Sequence, residues 1–263
     1  MRATIGGRTV GYDAIGNGEP LLFLHGFPLH RRMWAPQLAA LSPRAHCIAP
    51  DIRGFGESTP EPPFTMDQYA DDAIALLDTL GVSDPVVVCG LSMGGYIAFA
   101  LWRRHSTRVR ALILADTRAT ADTPEGRRNR AALIETARSQ GSAAIARLQG
   151  PTLLAERTLE RNPETLDLVR AMIAAQSSDA IIGASEAMLE RPDSTPTLGT
   201  ISVPTLVVVG ANDGVTPPPV AETMQRAIPG SRLERLPLAG HLSNLERPAA
   251  FNGVVAEFLS SLS

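Results

Sequence analysis

The chain has 263 residues, 44% of them hydrophobic and 19% charged, which fits one large folded α/β-sized domain and excludes a disordered chain. Its formal net charge of -3 leaves no basic footprint of the kind that binds nucleic acid. No run approaches the ~18 apolar residues of a membrane span. The opening "MRATIGGRTVGYDAIG" carries no apolar signal core or small-residue cleavage site, so the expectation is a cytoplasmic protein with neither nucleic acid nor membrane as a partner.

The first 16 residues alternate around Gly6-Gly7 and predict an antiparallel hairpin. "PLLFLHG" (20–26) is a short continuous apolar run, the pattern of a strand buried on both faces. "MWAPQLAAL" predicts a short helix and "HCIAPD" (46–51) the next strand. "MDQYADDAIALLDTLG" (66–81) is an amphipathic helix, with Tyr69, Ala73, Leu76, Leu77 and Leu80 on one face and Gly81 as its stop. "VVVCGLSMGGYIAFA" (86–100) runs from a strand through a Gly-rich turn into a helix ending near His105, and "VRALILADT" (109–117) is a further strand. Strands alternating with helices predict a mostly parallel sheet covered on both faces.

From 118 to about 198 the rhythm changes. Thr123-Pro124-Glu125 and Asn162-Pro163-Glu164 each combine a capping residue, a Pro at the first helical position and an early acid, and "SSDAIIGASEAMLE" adds another helix. No strand signal interrupts this stretch, so it is expected to be a helical insertion (118–198) within a core made of 1–117 and 199–263. Alternation resumes with "VPTLVVVG" (203–210), a helix after "TPPP", the strand "RLERLP", and a helix from about Pro248 to Leu262.

Gly90-Leu91-Ser92-Met93-Gly94 fits G-x-S-x-G between a strand and a helix. A tight turn there strains the serine backbone and lifts its hydroxyl clear of the sheet. Gly90 and Gly94 must be small because they crowd together, and Gly95 lets the helix approach the neighbouring strand. Ser92 is the expected nucleophile. It needs a base, and of five histidines only His105 and His241 follow it. His105 lies on the same helix, which leaves His241, in the loop of "LPLAGHLSNLERP". The carboxylate that orients the base is Asp213, just past a buried strand in "VVVGANDGVTPP", with Asp116 at the end of "ALILAD" as its rival. An oxyanion needs two N–H donors. Met93, at the helix N-terminus, supplies one, and Phe27 the other, because Pro28 has no N–H. His25 and Gly26 then shape the loop.

Other charged features read as structural. "DIRGFGES" (51–58) braces loops, Asp71-Asp72 is an exposed helix face rather than a metal site, and Arg127, Arg128 and Arg130 form a solvated helix face.

On "LLFLHGFPLHRRMW", "DIRGFGES", "GLSMGGYIA", "GANDGVTPP" and "AGH", in that order over nearly the whole length, the chain resembles the α/β-hydrolases. The doubled glycine and "HGFP" resemble the small bacterial carboxylesterases, on the branch shared with 3-oxoadipate enol-lactonases. "LADTRATADTPEGRRNR" and "ERPDSTPTL" resemble that esterase branch more particularly. The resemblance implies an eight-stranded sheet whose second strand runs antiparallel, a helical cap inserted after the sixth strand, a Ser92-Asp213-His241 triad, and Phe27 and Met93 as an oxyanion hole. In that strand order a third strand separates those bearing Cys47 and Cys89. Two strand spacings, about 9.6 Å, exceed the ~7 Å limit for a disulfide, so free thiols are expected.

The activity implied is hydrolysis of short- to medium-chain carboxylic esters through an acyl-enzyme, with no cofactor and with a small-molecule ester and water as partners. An enol-lactonase is the alternative, with Arg118 or Arg138 meeting a substrate carboxylate. A perhydrolase, a C–C bond hydrolase and a non-catalytic small-molecule receptor stand further back. Met188, Leu189, Met172, Ile173 and Leu148 fit a cap core and an acyl pocket equally well. Oligomeric state is not legible.

Overall fold

The computed structural model describes residues 1–262. Eight strands form one sheet: β1 (Arg2–Ile5), β2 (Arg8–Ile15), β3 (Glu19–Leu24), β4 (Ala45–Pro50), β5 (Val86–Leu91), β6 (Val109–Ala115), β7 (Thr205–Gly210) and β8 (Arg232–Leu236). Their order is β1-β2-β4-β3-β5-β6-β7-β8. β2 is antiparallel to both neighbours and the remaining adjacent pairs are parallel, as expected.

The two-residue period of a strand divides its side chains between two cores. Leu22, Leu24, Val86, Val88, Leu112, Leu114, Val207 and Val209 face the helices Met66–Thr79, Met93–His105 and Pro218–Ala227. Leu21, Phe23, Val87, Cys89, Ala111, Ile113, Leu206 and Val208 face Ala35–Leu41 and Pro248–Ser260. Each large aliphatic buried this way contributes roughly 1.5–3 kcal/mol, which explains why the central strands are continuous apolar runs. Cys47 and Cys89 are buried free thiols on β4 and β5, with β3 between them.

Because β3, β5, β6, β7 and β8 are parallel, the loops that follow them emerge at one edge of the sheet. His25, Ser92, Asp116, Asp213 and His241 all lie just past strand ends on that edge.

Between β6 and β7 the chain is helical: Pro124–Gln140, Ser142–Gln149, Glu156–Arg161, Pro163–Ala174, Ser178–Glu190 and Thr195–Leu198. The sequence patterns capture the longer helices and miss the short ones at 142–149 and 156–161. Thr123 caps as expected, its hydroxyl accepting from the Gly126 N–H at 3.1 Å. Asn162 does not. Its φ of -135° and ψ of 62° are not an extended cap geometry, because the residue also closes the helix immediately before it. Polar contacts tie this segment to the sheet. Gln176 Oε1 accepts from the Gly56 N–H at 2.9 Å, and Glu246 accepts from the Ala155 N–H at 2.8 Å and the Thr158 hydroxyl at 2.5 Å.

The charged loop 51–58 does brace. Asp51 pairs with Arg31, and Arg53 sets Nε and Nη2 on Asp72 at 2.6 and 2.7 Å. Asp72 is therefore not the solvated residue expected, since its side chain is only 15% exposed and anchors Arg53. Among the described residues no helix is long and apolar enough to cross a membrane.

Candidate active site

The turn after β5 holds Ser92 at φ 54° and ψ -112°, a conformation that costs a non-glycine residue on the order of 1–3 kcal/mol. Three hydrogen bonds secure it. The Ser92 N–H donates to the Ala115 carbonyl at 3.0 Å, while the Ser92 carbonyl accepts from Gly95 N–H at 2.9 Å and from the Thr117 hydroxyl at 2.8 Å. The glycines have distinct reasons. A Cβ at Gly90 would collide with the Gly94 carbonyl, and one at Gly94 would meet the Leu24 carbonyl of β3. A Cβ at Gly95 would strike Thr117, just past β6.

Ser92 Oγ lies 2.9 Å from His241 Nε2, and His241 Nδ1 lies 2.8 Å from Asp213 Oδ2. Since a carboxylate only accepts, Nδ1 carries the proton and Nε2 is free to receive the serine hydroxyl. His241 and Asp213 are each only 3% exposed. The Asp213 carboxylate accepts at Oδ1 from the Val215 and Thr216 N–H groups at 2.7 and 2.8 Å, and at Oδ2 from the Thr216 hydroxyl at 2.6 Å. Burial opposes ionisation of Asp213, yet His241 and the Thr216 donors hold its pKa below the ordinary carboxylate range. Thr216, also 3.3 Å from His241 Nδ1, is absent from the sequence reading. An Asp followed by Thr at the third position is the local pattern of such a side chain-to-backbone turn and could have revealed it.

Asp116 is equally buried but makes no bond to His241. Its carboxyl accepts from the Gly210 N–H at 2.8 Å and the Ser243 hydroxyl at 2.5 Å. Burial, and then the nearby Asp213 charge, push its pKa well above the ordinary value. Two carboxyl groups at adjacent strand ends thus have opposite environments.

Met93 opens its helix directly after Ser92, and Phe27 follows the β3 strand end. Among the described residues neither backbone N–H donates to a protein acceptor. His25 is fully buried: Nδ1 donates to the Gly26 carbonyl at 3.0 Å and Nε2 accepts from the Ile52 N–H at 2.9 Å. Burial lowers its pKa to about 4. Both nitrogens are occupied holding the loop, so the histidine stays neutral and unreactive.

Ser92, His241 and Phe27 open on a cavity of about 280 Å³, whose far wall is largely helical insertion: Asn129, Arg130, Leu133, Gln149, Leu153 and Met188. Gly126, Asn129, Arg130 and Leu133 follow the i, i+3, i+4, i+7 spacing of one helix face. Arg130 is therefore not in the solvated row with Arg127 and Arg128: it donates to Asp122 at 2.7 Å, with its side chain 17% exposed. Arg118 lines the cavity, whereas Arg138 is exposed and pairs with Glu135. Of the five apolar residues left open, Met188 reaches the cavity, Met172 and Ile173 are core, and Leu148 is 61% exposed. Among the described residues no three His, Cys, Asp or Glu side chains converge as metal ligands.

Sheet order, strained serine turn and strand-end loops together define the class, and the sequence agrees. Residues 19–248 match the family model of the alpha/beta hydrolase fold, and the chain belongs to that family. The fold of a thermophilic esterase from Thermogutta terrifontis, solved with malate bound, superposes with a TM-score of 0.96 at 40% identity, over 100% of this chain and 99% of that one. An enol-lactonase from Burkholderia xenovorans LB400 gives a TM-score of 0.90 at 32% identity, over 99% and 100%. Among curated relatives, 3-oxoadipate enol-lactonase 2 of Acinetobacter baylyi is 34% identical over 247 residues, 93% of this chain and 90% of that one.

Proposed function

We propose that the protein is a serine carboxylesterase acting on short- to medium-chain carboxylic esters, with Ser92, His241 and Asp213 as its triad. The observation that carries this reading is the unbroken hydrogen-bond chain from Ser92 Oγ through His241 to Asp213, opening on a cavity. That cavity, of about 280 Å³, sits just below the ~300–1,000 Å³ range of drug-sized ligand sites, which favours small substrates. Residues 118–198 act as a cap that selects the substrate, and 1–117 with 199–263 form the core that performs the chemistry.

In the forward half-reaction His241 Nε2 takes the Ser92 proton as Oγ attacks the ester carbonyl carbon. The carbonyl electron pair moves to oxygen, where the amides of Phe27 and Met93 hold it; the dipole of the Met93–His105 helix adds to that stabilisation. Collapse expels the alcohol, which leaves with the proton returned by His241. Water, deprotonated by His241, then attacks the acyl-enzyme and releases the acid, and Ser92 regains its proton. Asp213 keeps the imidazole in the Nδ1–H form and stabilises its charged state. These steps use no cofactor.

A second reading, hydrolysis of an anionic enol-lactone by the same atoms, is favoured by Arg118 on the cavity wall and by the lactonase relatives. A panel of p-nitrophenyl esters of graded chain length beside an enol-lactone tests both. The expected result is fastest turnover of short to medium acyl chains, with Ser92→Ala lowering kcat on the order of a million-fold and leaving the circular dichroism spectrum intact. A folded Ser92→Ala variant with near wild-type turnover overturns the triad. Enol-lactone turnover far above every simple ester moves the assignment to the lactonase.

A further inference from the structure

Resting on the esterase reading, we propose that the cavity selects substrates carrying a second, ionised carboxylate, held by Arg118 and Arg130. Both residues line the cavity that contains Ser92 and His241. The charges on that wall do not balance. Asp122, the only acid among the lining residues, accepts from Arg130 Nε at 2.7 Å and Arg191 Nη2 at 2.8 Å. One carboxylate thus answers two guanidinium groups. Arg118 has none: among the described residues it forms no ion pair within 4.0 Å, Nη2 donates to the Val215 carbonyl, and its buried Nε has no acceptor. Leaving a buried cationic donor without an acceptor is costly, and a substrate carboxylate relieves that cost. Arg53 is the contrast inside the same fold, its Nε and Nη2 both spent on Asp72.

Both arginines are also held in place, which separates them from flexible surface charges. Arg118 hooks to Val215, two residues from Asp213, whose carboxylate in turn binds the Val215 N–H. Arg130 is tethered through Asp122 to Arg191, and Arg191 lies 4.2 Å over the ring of Tyr96 on the helix that begins after Ser92. Only Nε of Arg130 has a protein acceptor among the described residues, so its terminal nitrogens can form the two-pronged contact that suits a carboxylate. The shared chemistry is an ester or lactone with one further carboxylate, on its acyl or its alcohol side.

The test compares mono-p-nitrophenyl glutarate with p-nitrophenyl valerate, which share an acyl chain length and differ in the terminal carboxylate. A second pair, O-acetylglycolate against ethyl acetate, places the charge on the alcohol side. The expected result is a preference for the anionic member of at least one pair by about tenfold or more in kcat/KM. That ratio falls about tenfold in Arg118→Gln, through KM, and shrinks with added salt. A wild-type enzyme that hydrolyses both neutral esters as well as the charged ones overturns the proposal, even with the esterase reading intact. If no ester is hydrolysed, the esterase reading fails instead, and titration calorimetry of glutarate against pentanoate still decides this site. Tighter binding of glutarate, lost in Arg118→Gln, supports it, and equal binding of the two acids refutes it.

Discussion

The carboxyl edge of the sheet and the helical insertion above it are built on different rules. At the sheet edge every reacting group sits within a few residues of a buried strand, and backbone contacts fix it: Ser92 by Ala115 and Thr117, Asp213 by Val215 and Thr216. In the insertion the cavity wall comes from helix side chains, steadied by ion pairs and long polar contacts such as Asp122 with Arg130 and Arg191. The first arrangement tolerates almost no displacement, because elbow glycines already touch carbonyls. The second can exchange side chains without moving the serine. The fold thereby separates the bond-breaking machinery from the surface that chooses the bond.

Three substitutions sharpen or break that division, beginning with the largest effect. Asp213→Asn keeps the volume but cannot hold His241 in the Nδ1–H form, so kcat for p-nitrophenyl acetate is expected to fall roughly 10⁴-fold with little change in KM. A loss confined to KM would place Asp213 in binding rather than in the chemistry. Glu246 joins the two regions: it accepts from Ala155 and Thr158 of the insertion and from the Gly240 N–H beside His241, at 2.8, 2.5 and 2.8 Å. Glu246→Ala strands those buried donors and is expected to lower stability by about 3 kcal/mol in urea unfolding, with kcat falling as the His241 loop loosens. Wild-type stability would mean that the clamp is unnecessary.

The smallest effect is expected at Asp116. Its carboxyl, raised by burial and by Asp213, keeps its proton in the folded state where the unfolded chain has already ionised. The native state then binds more protons, so this residue costs stability increasingly as pH rises above about 4. Asp116→Asn cannot titrate and suits the positive φ of 44° there. Its stability should match wild type within about 1 kcal/mol at pH 4 and gain on wild type by pH 7, with kcat changed little. Parallel stability at both pH values would show that Asp116 is ionised in the fold.

These contrasts also explain what the sequence reveals. The alternation of strands and helices, and the spacing of Gly90, Ser92, Gly94 and Gly95, encode the sheet and the elbow locally, because backbone sterics operate over a few residues. Asp116 and Asp213 look alike in sequence. Only the facing of their carboxyl groups separates them, although the Asp213–Thr216 turn leaves a local trace. Arg130 and Arg138 lie on one helix, eight residues or about 80° apart at ~100° per residue; that angle decides which one lines the cavity. Asp122 and Arg191 are brought together only by packing of the insertion helices, which periodicity does not orient. The short helices at 142–149 and 156–161 are too brief for a clear apolar period.

The central claim, that Ser92 carries the acyl group during turnover, is tested most directly by rapid mixing with p-nitrophenyl acetate followed by acid quench and peptide mass spectrometry. A burst of about one p-nitrophenolate per active chain, with the acetyl group on the peptide at Ser92, is the predicted result. Steady turnover with neither a burst nor acetylated Ser92, or acetylation at another residue that persists in Ser92→Ala, would contradict it.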